Sequence, residues 1–256
     1  MPAPLSIGIC QLDISWEKPE VNMIKVEKLL SAQPGLDLLV LPEMWTTGFT
    51  MDTSHAEAAP GPALQWMKDK AATYNIHIAG SVAVTEDRSC FNRFYIVSPV
   101  GEVHSYDKRH LFSYGNENQY YTPGREKMIF YLNQWRIRPI ICYDLRFPAW
   151  CRYTDDYDIL LVVANWPAAR IHHWDALLPA RAIENQSYVV AVNRAGTDGN
   201  NLHYPGHSRV YDMNGSVLWA MDESREVLEK VVLDKNALLD FRAQYPFLQD
   251  RDRFTL

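Results

Sequence analysis

Two hydrophobic rhythms alternate along the chain. LSIGICQL (Leu5–Leu12) and DLLVLPEM (Asp37–Met44) are short apolar runs that predict strands, the second one fully apolar until Pro42 breaks it. Between them, EVNMIKVEKLLSA (Glu20–Ala32) sets Met23, Val26, Leu29 and Leu30 on one helical face. PALQWMKDKAATYN (Pro62–Asn75) predicts a second helix, with Pro62 in the first turn, where its missing N–H is no loss. IHIAGSVAV (Ile76–Val84) and NRFYIVSP (Asn92–Pro99) predict strands, and a turn at SPVGEV leads back through EVHSYDK (Glu102–Lys108) as a hairpin arm.

MIFYLNQWRIRPIIC (Met128–Cys142) predicts two strands around Asn133-Gln134, and YDILLVVANW (Tyr157–Trp166) a further buried strand. HWDALLPARAIENQ (His173–Gln186) has a strong helical period, and YVVAVNRAG returns as a strand. SRVYDMNGSVLWAM (Ser208–Met221) predicts a hairpin turning at Asn214-Gly215, followed by a last strand in EVLEKVVLD and a last helix in KNALLDFRAQY. Helices between strands, with several hairpins, predict a mixed α/β sheet system covered by helices. No repeat, low-complexity tract or linker divides the 256 residues, so a single domain over 1–256 is expected. Its tail, about 246–256, lacks a clear period and is expected to wrap a surface or a partner subunit.

Composition narrows the function. A net charge of −6 argues against a general nucleic-acid binder. The four cysteines, Cys10, Cys90, Cys142 and Cys151, form no C-x-x-C pair, which leaves zinc ribbons and thioredoxin-like motifs unsupported. The N-terminus has neither a basic segment nor a long apolar one, and no apolar run approaches the ~20 residues of a membrane span. A cytoplasmic location without membrane or nucleic-acid partners is therefore expected. The adjacent His172 and His173 are expected to point apart on a helix, no metal-ligand spacing appears, and no Gly-rich phosphate loop is present, so neither metal nor cofactor is expected.

Three apolar strands end in a chemically potent residue: Glu43 in LLVLPEM, Lys108 in HSYDKRHLF and Cys142 in RPIICYD. Strand ends of α/β folds are where side chains from distant segments converge. An ammonium and a helix N-terminus at Tyr143–Asp144 would favour the Cys142 thiolate, and a carboxylate could take the thiol proton and return it to a leaving amine. Lys108 and the Tyr143 backbone N–H would stabilise an oxyanion, which together suits acyl transfer from an amide. Taken singly, each residue has an ordinary reading: a buried core cysteine, a surface or capping glutamate, a solvated turn lysine.

Together, LPEMWTTGF, YDKRHLF and CYDLRFPAW resemble, in order and spacing, the three signature segments of the nitrilase, or carbon-nitrogen hydrolase, superfamily. The resemblance implies Glu43 as general base, Lys108 as oxyanion stabiliser and Cys142 as nucleophile. It also implies a second, positioning glutamate: Glu117 in GNENQYYTPG, preferred over Glu126. It further implies an α-β-β-α sandwich extended across a homodimer, with the helical patterns at 142–154 and 173–186 as interface candidates or mere sheet covers.

CYDLRFP and ANWPAARIHHW look closest to the omega-amidases, which release ammonia from 2-oxoglutaramate and 2-oxosuccinamate. Such anions need a further cation. Arg146 is one candidate, unless it pairs with Asp144 or another nearby carboxylate; Arg170 is the other, unless it is an exposed helix-start residue. Trp45, Phe49 and Trp166 are pocket candidates, with core packing as the alternative. The rival readings are a different amidase or N-carbamoyl hydrolase of the superfamily, a cysteine hydrolase using His110 or His104 as base, and a catalytically silent binding subunit.

Overall fold

The computed structural model describes residues 3–154 and 156–252; the last four residues of the tail expected to wrap a partner lie outside them. In chain order the strands are β1 (Leu5–Gln11), β2 (Leu38–Val40), β3 (Glu57–Ala58), β4 (His77–Glu86), β5 (Ser89–Val97), β6 (Val103–Asp107), β7 (Phe130–Leu132), β8 (Trp135–Ile141), β9 (Ile159–Ala164), β10 (Tyr188–Asn193), β11 (Ala195–Thr197), β12 (His203–Pro205), β13 (Arg209–Tyr211), β14 (Val217–Ala220) and β15 (Val227–Leu233). The helices are α1 (Pro19–Ser31), α2 (Pro62–Tyr74), α3 (Glu117–Tyr120), α4 (Pro148–Cys151), α5 (Ile171–Asn185) and α6 (Lys235–Gln244).

The strands form two large sheets, ordered β15-β1-β2-β4-β5-β6 with β3 beside β4, and β14-β13-β10-β9-β8-β7. Side-chain alternation divides the first sheet into two faces. Leu5, Ile7, Ile9, Leu38, Val40, Phe94 and Ile96 face the second sheet in one core, which also holds Trp135, Ile140 and all of β9. The alternate residues Cys10, Leu39, Ile78, Tyr95 and Val97 pack on Val26 and Leu30 of α1 and on Leu64 and Met67 of α2. On the far side of the second sheet, Trp174, Leu178 and Ala182 of α5 close the core. The order is therefore helix, sheet, sheet, helix. The unbroken apolar run of β9 follows from its place: it pairs in parallel with β8 and β10 and is buried on both faces.

The topology brings distant strand ends to one edge. In the first sheet β1, β2 and β4 are parallel, and two successive antiparallel pairings return β6 to the same direction. In the second, β8, β9 and β10 are parallel. A parallel bridge between Asp13, just past β1, and Ala195, just past β10, shows that both sets end on the same side. Glu43, Lys108, Cys142 and Asn165 each follow the end of one of these strands.

The expected helix after Cys142 is not continuous. Cys142–Arg146 form a 3-10 turn and Pro148–Cys151 one short helical turn, with Phe147 between them in an extended conformation (φ −105°, ψ 91°). The proline cannot continue the hydrogen-bond ladder of the preceding turn. Residues 142–154 thus present no long helical face, and a strong helix dipole at Cys142 is absent. The short hairpin β11–β12 and the two-residue β3 have too few residues to show a period in the sequence. Among the described residues, no helix is long and apolar enough to cross a membrane.

Candidate active site

Lys108, Glu43 and Glu117 are all fully buried. Lys108 Nζ lies 2.7 Å from Glu43 Oε1 and 3.0 and 2.9 Å from the two Glu117 oxygens. Asn92, inside β5, donates its amide to Glu43 Oε1 at 2.8 Å and to Glu117 Oε1 at 3.2 Å. The remaining Glu117 oxygen accepts the Phe112 backbone N–H at 2.6 Å, and the remaining Glu43 oxygen accepts that of Asn165 at 2.8 Å. Every carboxylate oxygen thus meets a donor, the condition under which buried charge is tolerable. Glu126 is exposed and takes no part.

Burial by itself disfavours the Lys108 ammonium, but Glu117 and Glu43 outweigh it and hold the amine above its ordinary pKa. Burial raises Glu117, and Glu43 beside it adds to the rise, while Lys108 opposes both. Cys142 completes the group: its sulfur lies 4.0 Å from the Asn165 carbonyl oxygen, and it lines the same cavity as Glu43 and Lys108. Burial pushes this thiol well above its usual value, Glu43 and Glu117 reinforce that, and Lys108 offsets only part. The effect expected of Lys108, which favours the thiolate, is present but is outweighed here. Two carboxylates stand against one ammonium, and no long helix lies behind the sulfur, so the surroundings favour the neutral thiol.

Cys142 sits at φ 45°, a left-handed backbone that is uncommon for a side-chain-bearing residue. Such a conformation costs on the order of 1–3 kcal/mol and needs surrounding support. Asp144, fully buried, supplies it by accepting the Ile141 N–H at 3.0 Å, the Tyr106 hydroxyl at 2.7 Å and the His110 N–H at 2.8 Å. The turn is so tied to β6 and the segment after it. His110 also brings its ring Nδ1 to 2.8 Å from Asp144 and stacks on Phe147, while His104 sits edge-on to Phe130. Neither histidine lines the cavity at Cys142.

That cavity, of about 750 Å³, is lined by Glu43, Lys108 and Cys142 together with Phe49, Tyr143, Arg146, Trp166 and Arg170. Phe49 lies under the Lys108 ammonium, 5.1 Å from nitrogen to ring centroid. Trp45 is corrected to a core residue: it is fully buried, 5.1 Å ring to ring from Trp66 of α2, on the helix side of the first sheet. Trp45 lies in the turn after β2, where Met44 between it and Glu43 takes a left-handed φ of 43°, so strand alternation does not set its side. Arg146 does not pair with Asp144. Its guanidinium lies over the Trp166 ring at 4.7 Å and donates to His173 Nδ1 at 2.9 Å. Arg170 lies over Phe112 at 5.0 Å. Among the described residues neither arginine forms an ion pair, and burial first, then Arg170, disfavours the charge on Arg146. The His172 and His173 rings, expected to diverge, lie 4.0 Å apart at the start of α5. Among the described residues no group of three or more His, Cys, Asp or Glu is arranged to hold a metal ion.

The carbon-nitrogen hydrolase family model matches residues 6–236. The chain belongs to that family. This carbon-nitrogen hydrolase is 44% identical over 252 residues to the omega-amidase YafV of Escherichia coli K12, covering 98% of each chain. It is 36% identical to a 2-oxoglutaramate amidase of Bacillus subtilis, covering 96% of each. A CN-hydrolase superfamily protein of Xanthomonas campestris, solved with an arsenic adduct in its active site, superposes with a TM-score of 0.96 at 40% identity over 99% of both chains.

Sequence reasoning missed Asn92 and Asn165 in this hydrolase. A polar residue inside or just after an apolar strand, as in CFNRFYIV and ILLVVANW, was the available signal. It also missed the far wall of the cavity, where Trp16 and Asp198 arrive from loops and Tyr204 from the three-residue β12, all too short or irregular to show a period.

Proposed function

We propose that this chain is an omega-amidase hydrolysing the terminal amide of 2-oxo dicarboxylic acid monoamides, such as 2-oxoglutaramate, to the 2-oxo acid and ammonia. The observation that carries the substrate class is the arginine pair. Two guanidiniums without carboxylate partners among the described residues share the cavity of Cys142, and holding like charges together without an anion is unfavourable. A substrate carboxylate between or beside them relieves that cost. The near-full-length likeness to an omega-amidase and to a 2-oxoglutaramate amidase supports the same reading.

In this reading Cys142 Sγ attacks the amide carbon as Glu43 takes the thiol proton, which removes the need for a standing thiolate. Lys108 and the Tyr143 backbone N–H stabilise the oxyanion. As the C–N bond breaks, Glu43 returns the proton to the nitrogen and ammonia leaves. Water then adds to the thioester while Glu43 takes one of its protons, and collapse of this second intermediate releases the acid and restores the thiol. Glu117 positions Lys108. Arg146 and Arg170 hold the substrate carboxylate, with Trp166 and Phe49 as walls. No cofactor enters this scheme. The reading includes a homodimer and a cytoplasmic location; four unpaired cysteines suit a reducing compartment.

A substrate panel scored by released ammonia tests it, setting 2-oxoglutaramate and succinamate against nitriles, N-carbamoyl compounds and uncharged amides. Selective turnover of the anionic monoamides, with an acyl adduct on Cys142 by mass spectrometry, is the expected result. Preference for another class, or no adduct at Cys142 under single-turnover conditions, overturns it.

A further inference from the structure

Arg146 is held by its neighbours rather than by a carboxylate. Its guanidinium rests on the Trp166 ring at 4.7 Å and, more loosely, near the Tyr143 ring at 5.9 Å. The contact that sets its direction is the 2.9 Å hydrogen bond to His173 Nδ1, on the first turn of α5. An arginine has donors only, so His173 must be neutral and present Nδ1 as an acceptor, with its proton on Nε2. A neutral acceptor directs the guanidinium without neutralising it. A carboxylate at the same place would also direct it, and would consume the charge that a substrate anion needs.

From this geometry we infer that His173 is a positioning residue for substrate specificity, orienting Arg146 toward the carboxylate of the substrate while leaving its charge unspent. The inference rests on the reading of Arg146 as a carboxylate anchor and adds a residue outside the catalytic group. It makes recognition of the anion sensitive to acid. The groups acting on His173 are its neighbour His172, Arg146 from the turn after β8, and Arg170 from the turn before α5. All are basic; loss of solvent around the ring first, and these three charges after it, keep it below its ordinary pKa. On the other side of α5, β10 and β13 present Tyr188, Arg209 and Tyr211; Tyr188 is bonded to the Asp234 carbonyl and Arg209 to Asp222. Asp175, the acid on the same turn, is engaged by His207. Once charged, His173 can no longer accept from Arg146 and repels it.

The test compares succinamate with butyramide, an uncharged amide of equal length, in wild type, His173→Leu and His173→Asn. Asparagine supplies a neutral acceptor near the position of Nδ1 but does not titrate. In His173→Leu the succinamate KM should rise about five- to tenfold, the net worth of one ordinary hydrogen bond, with kcat and butyramide kinetics little changed. His173→Asn should restore the succinamate KM to within about twofold. In wild type the succinamate-to-butyramide ratio of kcat/KM should fall between about pH 7 and about pH 5, and in His173→Asn it should stay flat. The ratio cancels titrations of the catalytic group, which both substrates share.

Binding of succinamate to the Cys142→Ala protein by calorimetry, with and without His173→Leu, reads the same effect without turnover. A failed amidase reading therefore leaves the anion-binding result interpretable. Equal succinamate affinity with Leu at 173 overturns the inference, as does an acid dependence that survives in His173→Asn.

Discussion

Glu43 and Asn165 are bonded to each other twice over: the Asn165 backbone N–H reaches Glu43 Oε2 at 2.8 Å, and the Asn165 amide reaches the Glu43 carbonyl oxygen at 2.6 Å. One residue follows β2 of the first sheet and the other ends β9 of the second, so the pair joins the two sheets at the edge where the candidate site lies. Both acceptors lie on the Nδ2 side, which sets the orientation of the Asn165 amide.

Asn165→Ala removes the side-chain half of that link. Glu43 keeps its lysine but loses a fixed angle toward Cys142, and small displacements of a base cost up to ~10² in rate. kcat should fall by about that factor while circular dichroism is retained. Full activity in a folded variant would show that the link only joins the sheets.

The thiol provides a second expectation. Because burial, Glu43 and Glu117 hold Cys142 protonated at neutral pH, small uncharged alkylating agents should react slowly there and faster as pH rises. No plateau should appear below about pH 9. A plateau near neutrality, read by mass-resolved alkylation of Cys142, would demonstrate a standing thiolate instead.

Lys108→Met leaves two buried carboxylates without their counterion. Loss of one partner from a buried ion pair costs about 3–5 kcal/mol, so the urea midpoint should drop sharply. Adding Glu117→Gln should recover much of the stability and none of the turnover, because the surplus negative charge goes but the oxyanion donor does not return. An unchanged midpoint in the single variant would contradict the electrostatic account of the site.

Asp158 governs acid stability at the other end of the second sheet. It is buried and meets Arg136 at 2.7 Å, Lys235 at 2.9 Å and Arg242 at 3.3 Å. Burial opposes its ionisation, but the hydrogen bonds from Arg136 and Lys235 outweigh that and hold it below the usual carboxylate range. A lowered folded value means stability fully present above the unfolded value of about 3.9 and lost as pH falls through the folded one. Asp158→Asn should lose roughly 3 kcal/mol at neutral pH and show a shallower acid limb between about pH 4 and about pH 2. Parallel acid limbs in denaturant titrations of the two proteins would place the acid sensitivity elsewhere.

Much of this was legible in the chain. The periods of α1, α2 and α5 and the apolar runs of β8 and β9 are strong local signals, because burial on one stripe or on both faces writes itself into spacing. The ends of those runs marked Glu43, Lys108 and Cys142, and the motif around Glu117 marked the fourth residue. Trp45 was less readable: it lies in an irregular turn after β2, where Met44 takes a positive φ, and no period in the sequence sets which way its ring points. The helix expected after Cys142 failed because Pro148 interrupts it.

By itself, then, the sequence determined which segments are strands and helices and which residues have the chemistry for an amide hydrolase, since both depend on neighbours along the chain. Only the tertiary structure decided that two carboxylates surround the lysine, that burial and those carboxylates disfavour the thiolate, and that Arg146 answers to His173 rather than Asp144. Those outcomes depend on distances between residues far apart in sequence and on exclusion of water, and neither quantity exists before the sheets pack.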